Sequence, residues 1–370
     1  MLIAVRVLEF MAGLVIVLAV LDAAIRTFVL PRGSGVFITR LLSRTVRFFF
    51  DLLAKAARTY EGQDRAMALY GPVVLLTLPV TWLVGVMSGF ALMFHASTRL
   101  DWRSSVRLSG SALLTLGFAV PDTAVQVALV FAEAAIGLIL VALLIAYLPT
   151  MYSAFSHREI PVTQLSVRAG NPPTPLDLLS RAHRANFTDQ LDDLYRSWEL
   201  WFIELEETHT SLALLNFFRS PNPHRSWLTA SACMLDSAAI QVSAIDRTYS
   251  PNAAVMIRSG FLALQAIADF FQIPHDPDPN PDDPISIARS EFDEVLDDLA
   301  AAGVPITADR DEAWAAFVGW RVNYDTIVIS LAGLIMAPYA PWVSDRSITR
   351  TRHRPPMRGS KSGVARRPIR

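Results

Sequence analysis

Two apolar stretches decide the fold of this chain. Residues 69–94 read LYGPVVLLTLPVTWLVGVMSGFALMF, and residues 123–147 read TAVQVALVFAEAAIGLILVALLIAY. Glu133 is the only Asp, Glu, Lys or Arg in either stretch. A helix needs about 20 consecutive apolar residues to cross a bilayer. Both stretches therefore predict transmembrane helices, and the chain is expected to be an integral membrane protein.

A third apolar segment, residues 1–30, precedes them. Four charged residues interrupt it: Arg6, Glu9, Asp22 and Arg26. We predict a transmembrane helix here as well. The alternative is a secretory signal peptide, because a short apolar region follows Arg6. No convincing A-x-A cleavage site follows that region.

Residues 31–67, between the first and second spans, carry a stripe of charge. Its members recur every three or four residues and are Arg40, Arg44, Arg47, Asp51, Lys55 and Arg58. That spacing places them on one face of a helix. The pattern predicts a basic amphipathic helix in the membrane interface, next to anionic headgroups. An amphipathic helix packed on a soluble domain is the alternative.

The distribution of basic residues also predicts the orientation. Residues 31–68 hold seven Lys or Arg, whereas residues 95–122 hold three. Cytoplasmic connections carry an excess of basic residues, so the first connection is expected inside and the second outside. The N-terminus would then lie outside, and everything after Ser156 would be cytoplasmic. The expected location is the plasma (inner) membrane, which the chain crosses several times.

The connection between the second and third spans decides the expected function. Residues 101–122 read DWRSSVRLSGSALLTLGFAVPD, in which a helix-like front half leads to Thr115-Leu116-Gly117-Phe118-Ala119. The order of outer helix, pore helix, T-x-G-[YF] motif and inner helix over residues 68–159 resembles the pore domain of the potassium channel family. The chain would be a divergent, bacterial-type member.

This resemblance implies a function and a site. In the family, backbone carbonyl groups of a selectivity filter replace the water shell of a potassium ion, and here the filter would run from Thr115 to Ala119. The carbonyl groups of Thr115 to Phe118 would bind K⁺ transiently, with no other metal and no cofactor. One such loop lines a quarter of a pore, so a homotetramer is implied. Four further residues are expected to be associated with the pore: Ser111, Asp122, Glu133 and Gly137.

Glu133 has two interpretations. A carboxylate within the bilayer should face protein or water. It could therefore raise the local cation concentration behind the filter or in the central cavity, or it could hydrogen-bond to the pore helix. The sequence leaves both open. Gly137 lies about where the family often has a gating hinge.

Three positions depart from the family pattern. Ala119 replaces the second filter glycine, Leu114 replaces a hydroxyl residue, and the acidic Asp122 comes three residues after Ala119. The main expectation remains a channel for potassium or other monovalent cations. The alternative is a non-conducting, membrane-anchored scaffold with a channel-like fold. An enzyme is not expected, because no complete catalytic set is present.

Residues 160–345 are predicted to form an all-helical cytoplasmic domain. An apolar stripe at helical spacing is expected in its core and comprises Leu191, Leu194, Trp198, Trp201 and Leu205. Further helices are predicted at residues 227–245, 254–273, 291–302 and 309–336. Ser290 and Asp293 are expected to cap the third of these, and Gly303 to end it. Residues 326–342 form a possible fourth span, although a buried helix is favoured.

The remaining candidates are weaker. Glu206-x-x-His209 is half of a di-iron pattern without a second copy, and residues 276–282 have the composition of a solvated linker. Cys233 is the only cysteine, which excludes intramolecular disulfides. The basic residues 346–370 are predicted to be a disordered tail, and no nucleic-acid partner is expected. The predicted fold class is all-α, with three transmembrane helices, a re-entrant pore loop and the cytoplasmic domain.

Overall fold

The computed structural model describes residues 2–28, 37–57, 59–98, 100–246 and 250–347. The α-helices in these residues are α1 Leu2–Phe28, α2 Phe37–Ala56, α3 Tyr60–Ala68, α4 Tyr70–Thr98, α5 Trp102–Leu113, α6 Ala124–Ala169, α7 Pro175–Arg184, α8 Leu191–Ser211, α9 Trp227–Ala244, α10 Pro251–Phe270, α11 Arg289–Ala301, α12 Arg310–Arg321 and α13 Asp325–Ile335. The same residues contain no β-sheet, only an isolated bridge between Ile245 and Ile306. All but the first two residues of the predicted tail lie outside the described residues.

Within the described ranges, four helical segments are long and apolar enough to cross a membrane: Ile3–Phe28, Tyr60–Thr98, Ala124–Ala169 and Pro251–Phe270. Such a set is typical of a membrane protein. The first three contain the three spans that the sequence predicts. The fourth is α10, which the sequence predicts as a helix of the C-terminal part, and half of its most apolar window is buried inside the molecule.

Glycines allow α1 and α4 to pack closely. A Cβ atom added at Gly89 would lie 2.8 Å from the carbonyl oxygen of Gly13, and one added at Gly85 would lie 2.7 Å from Cγ2 of Val20. Both distances are shorter than side chains tolerate in a packed interior. The four-residue spacing of Gly85 and Gly89 predicts a close helix contact, and the partner is α1.

The helix α6 is longer than the sequence predicts. It continues without interruption past Pro149 and Pro161 and ends at Gly170, where φ is 83°. Its 46 residues correspond to about 69 Å at 1.5 Å per residue, whereas the bilayer core is about 30 Å thick. The helix therefore extends well beyond the length that a membrane needs and joins the remaining helices directly.

Residues 160–347, hereafter the C-terminal helical region, pack around α9. Nearly every residue of α9 is buried, and its partners include α8, α10 and α12. Trp198 and Trp201 are buried in this core with 2% and 4% exposure, so the prediction that the tryptophan stripe belongs to a core is confirmed.

Two predicted elements of this region differ from the structure. The helix predicted at 309–336 is divided into α12 and α13 by a turn at Val322–Tyr324. The helix α11 is capped at Ala288, whose backbone N–H donates to the Glu291 carboxylate at 2.8 Å, and not at Ser290. With 11 residues, α13 is only about 16 Å long, so the alternative of a fourth span at 326–342 is wrong.

The turn between α12 and α13 creates a buried charge cluster. Arg321 is fully buried and donates to both carboxylate oxygens of Asp236 on α9, and at 2.8 Å to Asp325. The hydroxyl of Tyr324 donates to Asp236 at 2.9 Å. Burial alone would lower the pKa of Arg321, but the charges of Asp236 and Asp325 outweigh burial and raise it. The break between α12 and α13 lies within this cluster, between Arg321 and Asp325.

Polar contacts join the C-terminal helical region to α2 and α3. Arg47 on α2 donates to the carbonyl oxygen of Leu334 at 3.0 Å. Arg219 pairs with Asp64 on α3 and donates at 2.8 Å to the carbonyl oxygen of Ile335. The end of α13 is thereby held against the segment that precedes α4.

Candidate functional site

The helix α5 lies between α4 and α6, where the sequence predicts a pore helix. Asp101 caps its first turn by accepting from the backbone N–H of Ser104 at 3.4 Å. Hydrogen bonds from Ser104 lower the pKa of Asp101. The ring of His95, at the end of α4, stacks on Trp102 with a centroid distance of 4.3 Å. These contacts place the start of α5 beside the end of α4.

Ser111 holds the loop that follows α5. Its carbonyl oxygen accepts from the backbone N–H of Leu116 at 2.9 Å, and its buried hydroxyl accepts from that of Ala119 at 3.1 Å. The chain thus turns back on the last turn of α5 and then leaves toward α6. Ser111 is the predicted pore residue with the most direct contact to the predicted filter.

The sign of the backbone angle φ alternates over residues 115–118 of the loop. Thr115 has φ of 54° and Gly117 has φ of 70°, and no other residue of 114–123 has a positive φ. A positive φ is unusual for a β-branched residue such as Thr and indicates local strain, which concentrates at functional sites. Ala119, which replaces the second filter glycine, has no positive φ.

The carbonyl groups of this loop have no hydrogen-bond donor among the residues that the structure describes. Among the described residues, none donates a hydrogen bond to the backbone oxygens of Thr115, Leu116, Gly117, Phe118 or Ala119. Backbone carbonyls normally find a donor in protein or water. The loop therefore offers a run of five free acceptors at one end of the membrane-length helices.

The large apolar side chains of the loop lie outside any core of the single chain. Leu116, Phe118 and Val120 are 59%, 56% and 76% exposed. Arg107, on the exposed side of α5, has its guanidinium 6.0 Å from the centre of the Phe118 ring. Leu116 and Phe118 are therefore largely uncovered within one chain.

Glu133 faces α5 and not an open cavity. It is fully buried, and its Oε1 lies 2.5 Å from the hydroxyl of Ser109, which also contacts the carbonyl oxygen of Met87 at 2.9 Å. A serine hydroxyl has only one hydrogen to donate. Both contacts are hydrogen bonds at once only if Glu133 carries a proton and donates it to Ser109. The geometry favours the structural interpretation of Glu133.

Gly137 and Asp122 have positions that the sequence does not specify. A Cβ atom at Gly137 would overlap the carbonyl oxygen of Leu113 and lie 3.0 Å from Cδ1 of the same residue. Gly137 therefore allows α6 to approach the end of α5, and it lies inside an uninterrupted helix. Asp122 is exposed, and its backbone N–H donates to the side chain of Gln126 at 2.5 Å.

Sequence reasoning misses three residues of this site. Ser109 binds Glu133, Gln126 fixes the start of α6 in a capping box with Thr123, and Gly13 contacts the outer helix α4. The capping box has a sequence signature, Thr followed by Gln three residues later. Ser109 and Gly13 have none, because their partners are distant in the chain.

The candidates in the C-terminal helical region are not assembled into a site. His209 is buried while Glu206, one turn earlier, is exposed, so the two side chains do not converge. The part of the chain that the structure describes holds no group of three or more His, Cys, Asp or Glu placed to bind a metal.

Comparison with protein family models, with curated proteins and with solved structures gives no match for this chain. The function is therefore argued from the geometry of the loop and the surrounding helices.

Proposed function

We propose that the chain is one subunit of a tetrameric cation channel of the potassium channel type, with residues 115–119 as its selectivity filter. The observation that carries this proposal is the loop after α5. Its carbonyl groups accept no hydrogen bond from the described residues, and φ alternates in sign at Thr115 and Gly117. Alternation of left- and right-handed residues turns successive peptide groups toward the same side of a strand. Such a strand can present its oxygens to a dehydrated cation.

The exposed apolar surfaces support assembly with other copies. Leu116 and Phe118 are exposed in one chain although they are large and apolar. On α6, exposed apolar side chains recur every seven residues at Phe131, Leu138 and Ile145. One loop cannot surround an ion. Four copies around an axis would cover these side chains and close the ring of carbonyl groups.

The proposed topology has three spans, α1, α4 and α6. The core helix α10 is excluded because its apolar residues pack on α8 and α9. The excess of basic residues between α1 and α4 places that connection in the cytoplasm. The loop after α5 then lies outside, and the C-terminal helical region lies in the cytoplasm beneath the plasma (inner) membrane.

In this mechanism the conducting groups belong to the backbone, and side chains position them. Ser111 holds the loop through both of its hydrogen bonds. Thr115 adds a hydroxyl oxygen at the inner mouth. Glu133 acts as a neutral link between α6 and Ser109 of α5, so it supplies no charge to the pore.

A non-conducting scaffold is the second candidate, and one observation favours it. Arg107 lies beside Phe118, with 6.0 Å between its guanidinium and the ring centre. A fixed positive charge beside the loop repels cations, and no acidic residue directly follows Ala119 to offset it. The scaffold would keep the helices without ion flux.

The experiment is potassium flux into liposomes that hold the purified chain, with sodium as the comparison ion. Gly117→Ala is the test variant. A Cβ atom there meets nothing within 4 Å in the single chain, so its main effect is on the left-handed backbone, at a cost of about 1–2 kcal/mol. Gly110→Ala is the matched control, because the nearest atom to its Cβ is the Met87 sulfur at 3.7 Å.

We expect wild type and Gly110→Ala to conduct potassium in preference to sodium, and Gly117→Ala to lose the flux. Glu133→Gln keeps a hydrogen-bond donor for Ser109, so this variant should retain the potassium flux. No flux of either ion from folded, tetrameric wild type would support the scaffold. Equal flux in Gly117→Ala and Gly110→Ala would exclude residues 115–119 as the filter.

A further inference from the structure

A cavity of about 830 Å³ lies where the membrane-length helices meet the C-terminal helical region. The end of α1 and the helices α2, α4 and α6 form one side of it. The ends of α8, α10 and α13 form the other. Its volume lies within the range of about 300–1,000 Å³ that is common for ligand sites. Any occupant would contact both parts of the molecule at once.

One wall of this junction cavity is basic. Arg26, Arg44 and Arg47 all line it. Arg26 pairs with Asp22, and Arg47 pairs with Asp51, each at 2.8 Å. Arg44 is exposed and has no acidic partner among the described residues. The cavity thus holds a cationic group that is free to bind an anion.

Two acidic residues also line the cavity. Asp51 is already bound to Arg47, and Oδ1 of Asp269 lies 3.8 Å from Nε2 of His275. Asp269 is on the rim, with a 76% exposed side chain. Neither residue contacts Arg44 in the structure. The anionic group of a ligand is therefore directed to α2 and away from the end of α10.

A second wall on the same side of the cavity is apolar and belongs to the membrane-length helices. Phe28, Val74, Leu78 and Tyr147 line it. The basic wall next to it lies on α2, whose charged stripe is typical of a helix at the level of lipid headgroups. A small inorganic anion would leave the apolar wall uncovered. A molecule with an anionic head and an apolar chain covers both walls.

We infer that the junction cavity binds one anionic phospholipid, with its phosphate at Arg44 and part of an acyl chain against the half-buried Phe28. Basic pockets between membrane helices on the cytoplasmic side are typical sites for anionic headgroups. The lipid would stabilise the junction, because Thr210, Phe271 and Leu334 of the C-terminal helical region also line the cavity. This inference requires a membrane location but not ion conduction.

The test is binding of lipid to the purified full chain in zwitterionic detergent micelles at raised ionic strength, measured by native mass spectrometry and by the unfolding temperature. Phosphatidylglycerol is the probe, phosphatidylcholine is the comparison with a zwitterionic headgroup of no net charge, and inorganic phosphate is the headgroup anion alone. Arg44→Gln removes the free cation, and Ser43→Phe fills part of the cavity. Lys55→Gln is the matched control, since Lys55 is exposed on the same helix and does not line the cavity.

We expect one tightly bound phosphatidylglycerol per chain and an affinity about tenfold lower in Arg44→Gln, as for the loss of one charged hydrogen bond. Ser43→Phe should also weaken binding, whereas Lys55→Gln should change it by no more than about twofold, because salt screens exposed charges.

Equal binding of phosphatidylcholine, or equal losses in Arg44→Gln and Lys55→Gln, would overturn the site. Binding of inorganic phosphate with the same affinity as the lipid would also overturn the site. If Ser43→Phe does not fold, Arg44→Gln still decides the outcome. Lipid binding without ion flux would leave this inference intact and refute only the proposed channel.

Discussion

The loop after α5 and the charge cluster of the C-terminal helical region differ in how many of their polar groups have hydrogen-bond partners within the chain. In the cluster, Arg321 is fully buried and bound by Asp236, Asp325 and the carbonyl oxygen of Trp342. In the loop, five backbone oxygens receive no hydrogen bond from the described residues, and the apolar side chains point outward.

This difference separates a region that is complete in one chain from a region that is not. A buried charge without a partner costs several kcal/mol, so the cluster can exist only because its partners are all present. The free oxygens of the loop have no hydrogen-bond donor among the described residues and its large apolar side chains are exposed, so we expect their partners to come from outside the single chain. Ions and further copies of the chain are the partners that we propose.

The largest expected effect concerns the cluster. Asp236→Asn should destabilise the C-terminal helical region by about 3–5 kcal/mol, because it removes a carboxylate from a buried arginine. The measurement is thermal unfolding of the purified chain followed by tryptophan fluorescence. Trp198 and Trp201 report on this core.

Asp297→Asn is the matched control for Asp236→Asn. Asp297 pairs with Arg310 at 2.8 Å, but its side chain is 72% exposed. Loss of an exposed pair should cost no more than about 1 kcal/mol. Equal destabilisation by the two variants would contradict the assignment of the cluster as the fixed core of this region.

A smaller effect is expected where α6 meets α5. Gly137→Ala should destabilise this contact by about 1–3 kcal/mol, because the added Cβ would overlap the carbonyl oxygen of Leu113. The measurement is the unfolding temperature of the chain in detergent. Gly110→Ala, with 3.7 Å to its nearest neighbour, should have little effect.

An unchanged unfolding temperature in Gly137→Ala would mean that α5 and α6 are less closely packed than the structure has them. Loss of ion flux in Gly137→Ala with unchanged stability would instead favour a hinge at this position. The pair of variants therefore distinguishes close packing from gating.

The smallest effect concerns pH. His209 is fully buried, with Arg158 at 3.4 Å from its Nε2, and burial first and the charge of Arg158 second hold its pKa well below 6.5. Below pH 6.5 the unfolded chain binds a proton at this position that the folded chain does not. Stability should therefore fall as the pH falls, by at most about 1.4 kcal/mol per pH unit.

The measurement is the slope of unfolding temperature against pH between 7 and 5 in wild type and in His209→Gln. The variant removes the titrating group, so its slope should be shallower whatever its absolute stability. Identical slopes would show that His209 takes up its proton without unfolding.

Local patterns were sufficient to predict much of this molecule. The three apolar spans, the amphipathic α2 and the tryptophan stripe of α8 follow from composition and spacing within single helices. Gly85 and Gly89 predict a close contact because their spacing places both on one helix face. The break between α12 and α13 was not predicted, and the contacts of Arg321 and Tyr324 with Asp236 on α9 join residues that are distant in the chain.

The sequence by itself determined the order of the helices, which of them are apolar or amphipathic, and the position of the loop at residues 115–119. These depend on hydrophobic runs and on turn residues, which act over a few neighbouring positions. Only the tertiary structure decided that Glu133 binds Ser109, that Gly137 faces Leu113 and that Arg44 faces a cavity. Each of these contacts joins residues of different helices, and its partner is set by how whole helices pack.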